Sequence, residues 1–166
     1  MIEHLLMSLF PFMVIAAAIS DFFTMKIPNW LNLLIAGLML PMALIAGMPG
    51  DQFVWSLAAG ALMLVAGFGL FATNAIGGGD AKLFAAAALW IGWNQLLPFA
   101  LYTALAGGAL AIAMKTWQLV RIEHEVKDVG WLKRVIRTDL DLPYAVAIAT
   151  GALMSYPATF WMQHLS

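Results

Sequence analysis

Apolar residues run along this chain in long blocks, interrupted by short stretches that are polar or rich in glycine and proline. Cutting at those breaks leaves six segments, at 5–20, 30–47, 53–73, 81–93, 96–114 and 142–161. Each approaches the ~20 apolar residues that carry a helix across a bilayer, or fewer where the bilayer thins. The pattern predicts an all-α, polytopic membrane bundle of six transmembrane helices. The fourth segment is the shortest and is expected to pack inside the bundle.

Composition fixes the solvent. The chain is 63% hydrophobic and 10% charged, with a mean hydropathy of +0.89, whereas an ordinary soluble domain carries about 25% charged residues. The partner this implies first is the lipid bilayer. A net charge of -1 predicts no nucleic-acid binding, and the absence of cysteine removes disulfides, thiolate zinc sites and cysteine nucleophiles. There is no HExxH, His4 and His164 lie near the two ends, and His124 stands alone in a loop, so neither a metal nor a cofactor is expected. The first segment has signal-peptide-like small residues in "VIAAAIS". It is preceded by Glu3 and by no Lys or Arg, and so is read as a span.

Every Lys and Arg falls in alternate loops, on one side of the membrane: Lys26 after the first span, Lys82 at the start of the fourth, and Lys115, Arg121, Lys127, Lys133, Arg134 and Arg137 after the fifth. The turns "GMPGDQ" and "GWNQ" carry none. Positive charge stays inside, so these three loops are expected in the cytoplasm and both termini outside. No repeat and no linker divides the chain, which is read as a single membrane-embedded domain, 1–166, with a cytoplasmic or interfacial loop at about 116–141. Within that loop "WLKRVIR" places Trp131, Leu132, Val135 and Ile136 opposite Lys133, Arg134 and Arg137. It reads either as a helix lying in the membrane interface or as a solvated charged loop.

Small residues at Gly60, Gly67, Gly69, Ala85 to Ala88, Gly107, Gly108 and Ala111 are assigned to close helix packing. Trp30, Trp55, Trp90, Trp93 and Trp161, near span ends, are assigned to interfacial anchoring.

Two acids differ from those of the loop. Asp21 closes the first span and Asp80 opens the fourth, so topology brings both to one depth at one face, whereas Asp51 belongs to an outer turn. Acids at span edges are boundary charges or functional groups. Two carboxyls sharing a site do not both ionise readily, so one keeps a proton and the other becomes a base, the arrangement that activates water against an amide. Gly77, Gly78 and Gly79 directly before Asp80 read as a positive-φ segment that lets a substrate backbone approach, or as an interhelical turn. Helix ends alone would make Asp80, at a helix start, the base, and Asp21, at a helix end, the holder of the shared proton.

These residues carry a resemblance. An Asp at the end of the first span followed by "KIPN" (Lys26 to Asn29), the block "GGGDAKLFAAAALWIG" (77–92) and the late "LPYAVAIATGAL" (142–153) resemble the prepilin peptidases, membrane aspartyl proteases of the GxGD type. The chain is most similar to their short form, associated with Flp-type, tight-adherence pili. The resemblance implies Asp21 and Asp80 as the catalytic pair, with Gly77 and Gly79 as the motif glycines and Lys82 at a family basic position. Gly78, Lys26, Pro28 and Asn29 complete the motif set on the substrate-approach side. It implies as substrate a prepilin or pseudopilin with a short basic leader followed by a hydrophobic helix, cut at the cytoplasmic face of the bacterial inner membrane. N-methylation is not expected, because the cysteine-bearing region of the bifunctional enzymes is absent. Where the family often has Pro-aromatic-Gly, this chain has Pro143, Tyr144 and Ala145, which predicts a less open end.

Two alternatives belong beside this. One is an archaeal-type preflagellin peptidase; the other is a non-catalytic membrane subunit or small ion-coupled transporter using the two acids as a relay, which would want acids spread through the membrane depth. The oligomeric state is not written in the sequence.

Overall fold

Proline and glycine set where four of the helices of this chain begin. The computed structural model describes residues 2–120 and 142–163; "WLKRVIR" and its two readings lie outside the described residues. The long helices are α1 (Ile2–Thr24), α2 (Asn29–Ile45), α3 (Gly50–Ala72), α4 (Gly78–Ile91), α5 (Leu96–Val120) and α6 (Tyr144–Ser155). Pro28, Pro49, Gly77 and Pro143 stand immediately before α2, α3, α4 and α6. Their position suits them, because the residue before the first helical turn contributes no N–H to the helix.

The described residues contain helices and turns but no strand, as the hydropathy pattern predicts. Two ends differ from it most. α5 continues to Val120 instead of stopping at 114. α6 stops at Ser155 instead of running on to 161, because Pro157 has no N–H to give the next turn. The chain tightens into a 3₁₀ turn at Tyr156–Ala158 before a short α7 (Phe160–Gln163).

α4 is the centre of the bundle and touches α1, α2, α3, α5 and α6. At 14 residues it spans only about 21 Å, less than the ~30 Å hydrocarbon core, and it is surrounded by protein instead of lipid. Its alanines let neighbours come close. A Cβ on Gly67 of α3 would lie 3.1 Å from the Ala81 Cα, and one on Gly60 would lie 2.8 Å from the Leu89 Cγ. Gly69 and Gly108 face nothing within 4 Å, so the packing role assigned to them from sequence does not hold.

The far end of α4 is locked by aromatic residues. The Trp90 Nε1–H donates to the Ile35 carbonyl at 2.7 Å, and the Trp161 Nε1–H donates to the Trp90 carbonyl at 2.6 Å. Phe10 stacks on Trp90 with centroids 5.2 Å apart. Trp90 and Trp161 are 1% and 0% exposed, so they are core residues and not interfacial anchors. Their ring N–H groups find carbonyls inside the bundle, which makes that burial affordable. Trp30, Trp55 and Trp93 stay exposed, as anchors do.

Much of the outer surface is apolar. Leu97 is 80% exposed, Leu44 76% and Val65 72%, and three stretches, Gly50–Ala72, Trp93–Trp117 and Tyr144–Gln163, are long and apolar enough to cross a membrane. A surface of this kind belongs in lipid. α3 rests on α4 and only weakly on α2 or α5, which leaves an apolar groove on each side of it.

Candidate active site

The turn between α1 and α2 packs on the turn between α3 and α4, and the motif residues meet there. α1 ends one turn after Asp21, with the Met25 N–H on the Asp21 carbonyl at 2.7 Å. Met25 then adopts φ 53, reversing the chain. The Ser20 and Thr24 hydroxyls hold this reversal by donating to the Lys26 carbonyl at 3.0 and 3.1 Å. Lys26 itself is exposed, and its backbone carbonyl is what the turn uses.

From there "IPN" cradles the start of α4. Ile27 lies against Gly79, whose missing Cβ would sit 3.4 Å from the Ile27 Cβ. Pro28 starts α2 in an extended conformation. The Lys82 ammonium donates to the Asn29 Oδ1 at 2.9 Å. One turn on, the buried Asn32 donates its Nδ2 to the Gly79 carbonyl at 3.1 Å.

The glycines act through closeness and not through positive φ. Gly77 has φ -72, Gly78 and Gly79 are in the first turn of α4, and the positive-φ glycines among the described residues are Gly47 and Gly92. The expected positive-φ segment is therefore absent. What Gly77 provides is space: its N–H donates to the Asp80 Oδ2 at 3.2 Å, and a Cβ there would press that same oxygen at 2.9 Å. Gly77→Ala is accordingly expected to leave the helix start intact but displace the carboxylate. A peptide-cleavage assay should show a fall in kcat of about 10- to 100-fold, while Gly78→Ala, which meets only the Phe71 ring at 3.5 Å, stays near normal.

Asp21 and Asp80 are 5% and 7% exposed, the two buried charged side chains among the described residues. They are close enough to interact electrostatically. Between them comes a group that sequence reading did not identify. The Ala145 N–H, at the start of α6, donates to the Asp21 Oδ2 at 3.1 Å and also bears on the Asp80 carboxyl. Pro143 and Tyr144 mark the start of a helix on the same side as the acids, which was the available signal; the donor itself is a backbone atom that no residue type reveals. Ala145 is fully buried.

The Ala145 contact also changes the argument from helix ends. Asp21 sits at the end of α1 but faces the amino-terminal turn of α6, so both acids receive an N–H from a helix start. Helix ends therefore no longer separate a base from a proton holder. The Asp80 Oδ1 is buried without a hydrogen-bond partner among the described residues, an acceptor left over for a water, a shared proton or a substrate group.

Asp51 begins α3 at the opposite end of the bundle, exposed, in a polar cavity with Gly92 and Trp93. It does not join the pair. Among the described residues no three His, Asp or Glu side chains come together as metal ligands would.

A helical membrane bundle with two buried, electrostatically interacting acids on separate helices is the class of protein this structure defines. Residues 8–112 match the type IV leader peptidase family, and the chain belongs to that family. It is a membrane peptidase. The matched region contains most of α1, all of α2 to α4, and both acids. No curated protein and no solved structure matches the chain.

Proposed function

We propose that this protein is an aspartic endopeptidase that removes the leader of Flp-type prepilins or pseudopilins, with Asp21 and Asp80 as its catalytic pair. The observation that carries the reading is the meeting of two buried carboxyls around the Ala145 N–H. One carboxylate takes a proton from a water molecule as that water attacks the scissile carbonyl. The other, protonated, gives its proton to the carbonyl oxygen, and the resulting tetrahedral diol collapses as the leaving amine is protonated. Gly77 leaves room for the Asp80 carboxylate and Gly79 for Ile27 of the facing turn, while the Lys82–Asn29 hydrogen bond holds the two turns together at their edge.

The chain acts as one membrane-embedded domain, 1–166, multi-pass in the bacterial inner membrane, with its acids at the cytoplasmic face and both termini outside. The Lys and Arg distribution supports that orientation. The activity is cleavage alone, without N-methyl transfer. A relay would need acids at several depths, and the two buried acids lie at one end of the bundle. The test is incubation of the purified protein, in detergent, with a prepilin carrying its leader, followed by mass measurement of the product. Loss of the leader without added methyl groups is expected; an unshortened precursor would refute the reading.

A further inference from the structure

We propose that the groove between α2, α3 and α4 receives the apolar segment of the peptide substrate, and that Asn32 receives its backbone where it emerges toward the aspartates. This rests on the leader-peptidase reading and adds where the uncut chain lies. The groove measures about 600 Å³, within the size range of pockets that hold several apolar side chains. Gly60, Ala85, Ala86, Leu33, Leu64 and Leu89 line it. At one end it turns polar, with Asn29, Asn32 and Lys82. That end is the active-site end, because Asn32 donates to the carbonyl of Gly79, the residue before Asp80.

Asn32 distinguishes a peptide from a lipid chain as the occupant. It is 4% exposed, and its Oδ1 has no hydrogen-bond partner among the described residues. Buried amide oxygens in native proteins are nearly always paired. A hydrocarbon tail has no donor to offer, whereas a peptide leaving an apolar groove supplies a backbone N–H at this point. The groove on the other side of α3, about 520 Å³, also contains an unpaired buried oxygen, the Thr103 Oγ1. That oxygen packs against Gly151 of α6, so it belongs to a helix contact.

The chain has no cysteine, which makes the test direct. Ala61→Trp fills the proposed groove and Ala104→Trp fills the other. Each is assayed on a full precursor and on a short leader peptide truncated just past the cut. Ala61→Trp is expected to lower kcat/KM on the precursor at least about tenfold, chiefly through KM, and to leave the short peptide within about twofold; Ala104→Trp should change neither. In parallel, Leu33→Cys should form a disulfide with a cysteine placed in the precursor's apolar segment, and Ala104→Cys should not. If wild-type protein cuts neither probe, the leader-peptidase reading itself fails. If it cuts the precursor but Ala61→Trp is silent, or the cross-link forms at Ala104 instead of Leu33, the groove assignment is overturned.

Discussion

Asp21→Asn and Asp80→Asn should each lower peptide cleavage by about 10²- to 10⁴-fold, the range associated with loss of a positioned acid or base. An amide can neither accept the proton of the attacking water nor deliver one to the substrate carbonyl. The two changes also leave the bundle intact. An Asn at 80 retains an oxygen for the Gly77 N–H, and an Asn at 21 retains one for the Ala145 N–H, the two backbone contacts that the carboxylates make. Membrane insertion and thermal stability should therefore stay close to wild type. Asp51→Asn, exposed at the far end of the bundle, should be silent.

The double variant distinguishes a shared site from two independent contributions. Residues that act as a unit are strongly non-additive, so Asp21→Asn combined with Asp80→Asn should be no slower than the worse single variant. A double variant slower by the product of the two single effects would show that the acids act separately. Near-normal turnover in either single variant would remove that residue from the catalytic pair.

Much of this arrangement is legible in the sequence, and what is not has a common cause. The helices follow from apolar blocks ended by Pro28, Pro49, Gly77 and Pro143, since these residues act locally. The central place of α4 follows from its length and its alanines. The pairing of Asp21 with Asp80 follows from topology, which fixes which span ends share a face. The missed features are long-range contacts of backbone atoms. The Ala145 N–H reaches Asp21 across 124 residues, and the Gly79 carbonyl reaches Asn32 across 47. A backbone group carries no residue-type signature, so only the fold displays it. Trp90 and Trp161 failed for a related reason: tryptophan near a span end reads as an anchor until the carbonyls of Ile35 and Trp90 supply partners inside.

Gly151→Ala should be among the most damaging single-methyl changes in the molecule, to stability and to cleavage together. α6 lies so close to α5 at this position that a Cβ on Gly151 would fall 2.8 Å from the Thr103 backbone nitrogen and 2.9 Å from the Phe99 carbonyl oxygen, and would overlap the Thr103 Oγ1. The hydroxyl could rotate away, but the backbone atoms of α5 cannot. The helices must separate, which forfeits contacts along an interface that small residues make possible. Overpacking of this kind costs about 1–3 kcal/mol, partly offset by the roughly 0.5–1 kcal/mol that alanine gains over glycine within a helix. Gly69→Ala supplies the control, since its added methyl meets nothing within 4 Å and should be neutral or mildly stabilising. The functional consequence travels along α6. Ala145 lies six residues before Gly151, about 9 Å along the helix, and its N–H is what Asp21 and Asp80 share. A tilt of α6 away from α5 moves that donor, and a displacement near 1 Å is enough to cost about 10²-fold in rate. Thermal unfolding in detergent and the cleavage assay should therefore both register Gly151→Ala, with cleavage reduced at temperatures well below the unfolding midpoint. Full activity in a destabilised Gly151→Ala protein would show that the α5–α6 contact supports the bundle without positioning Ala145.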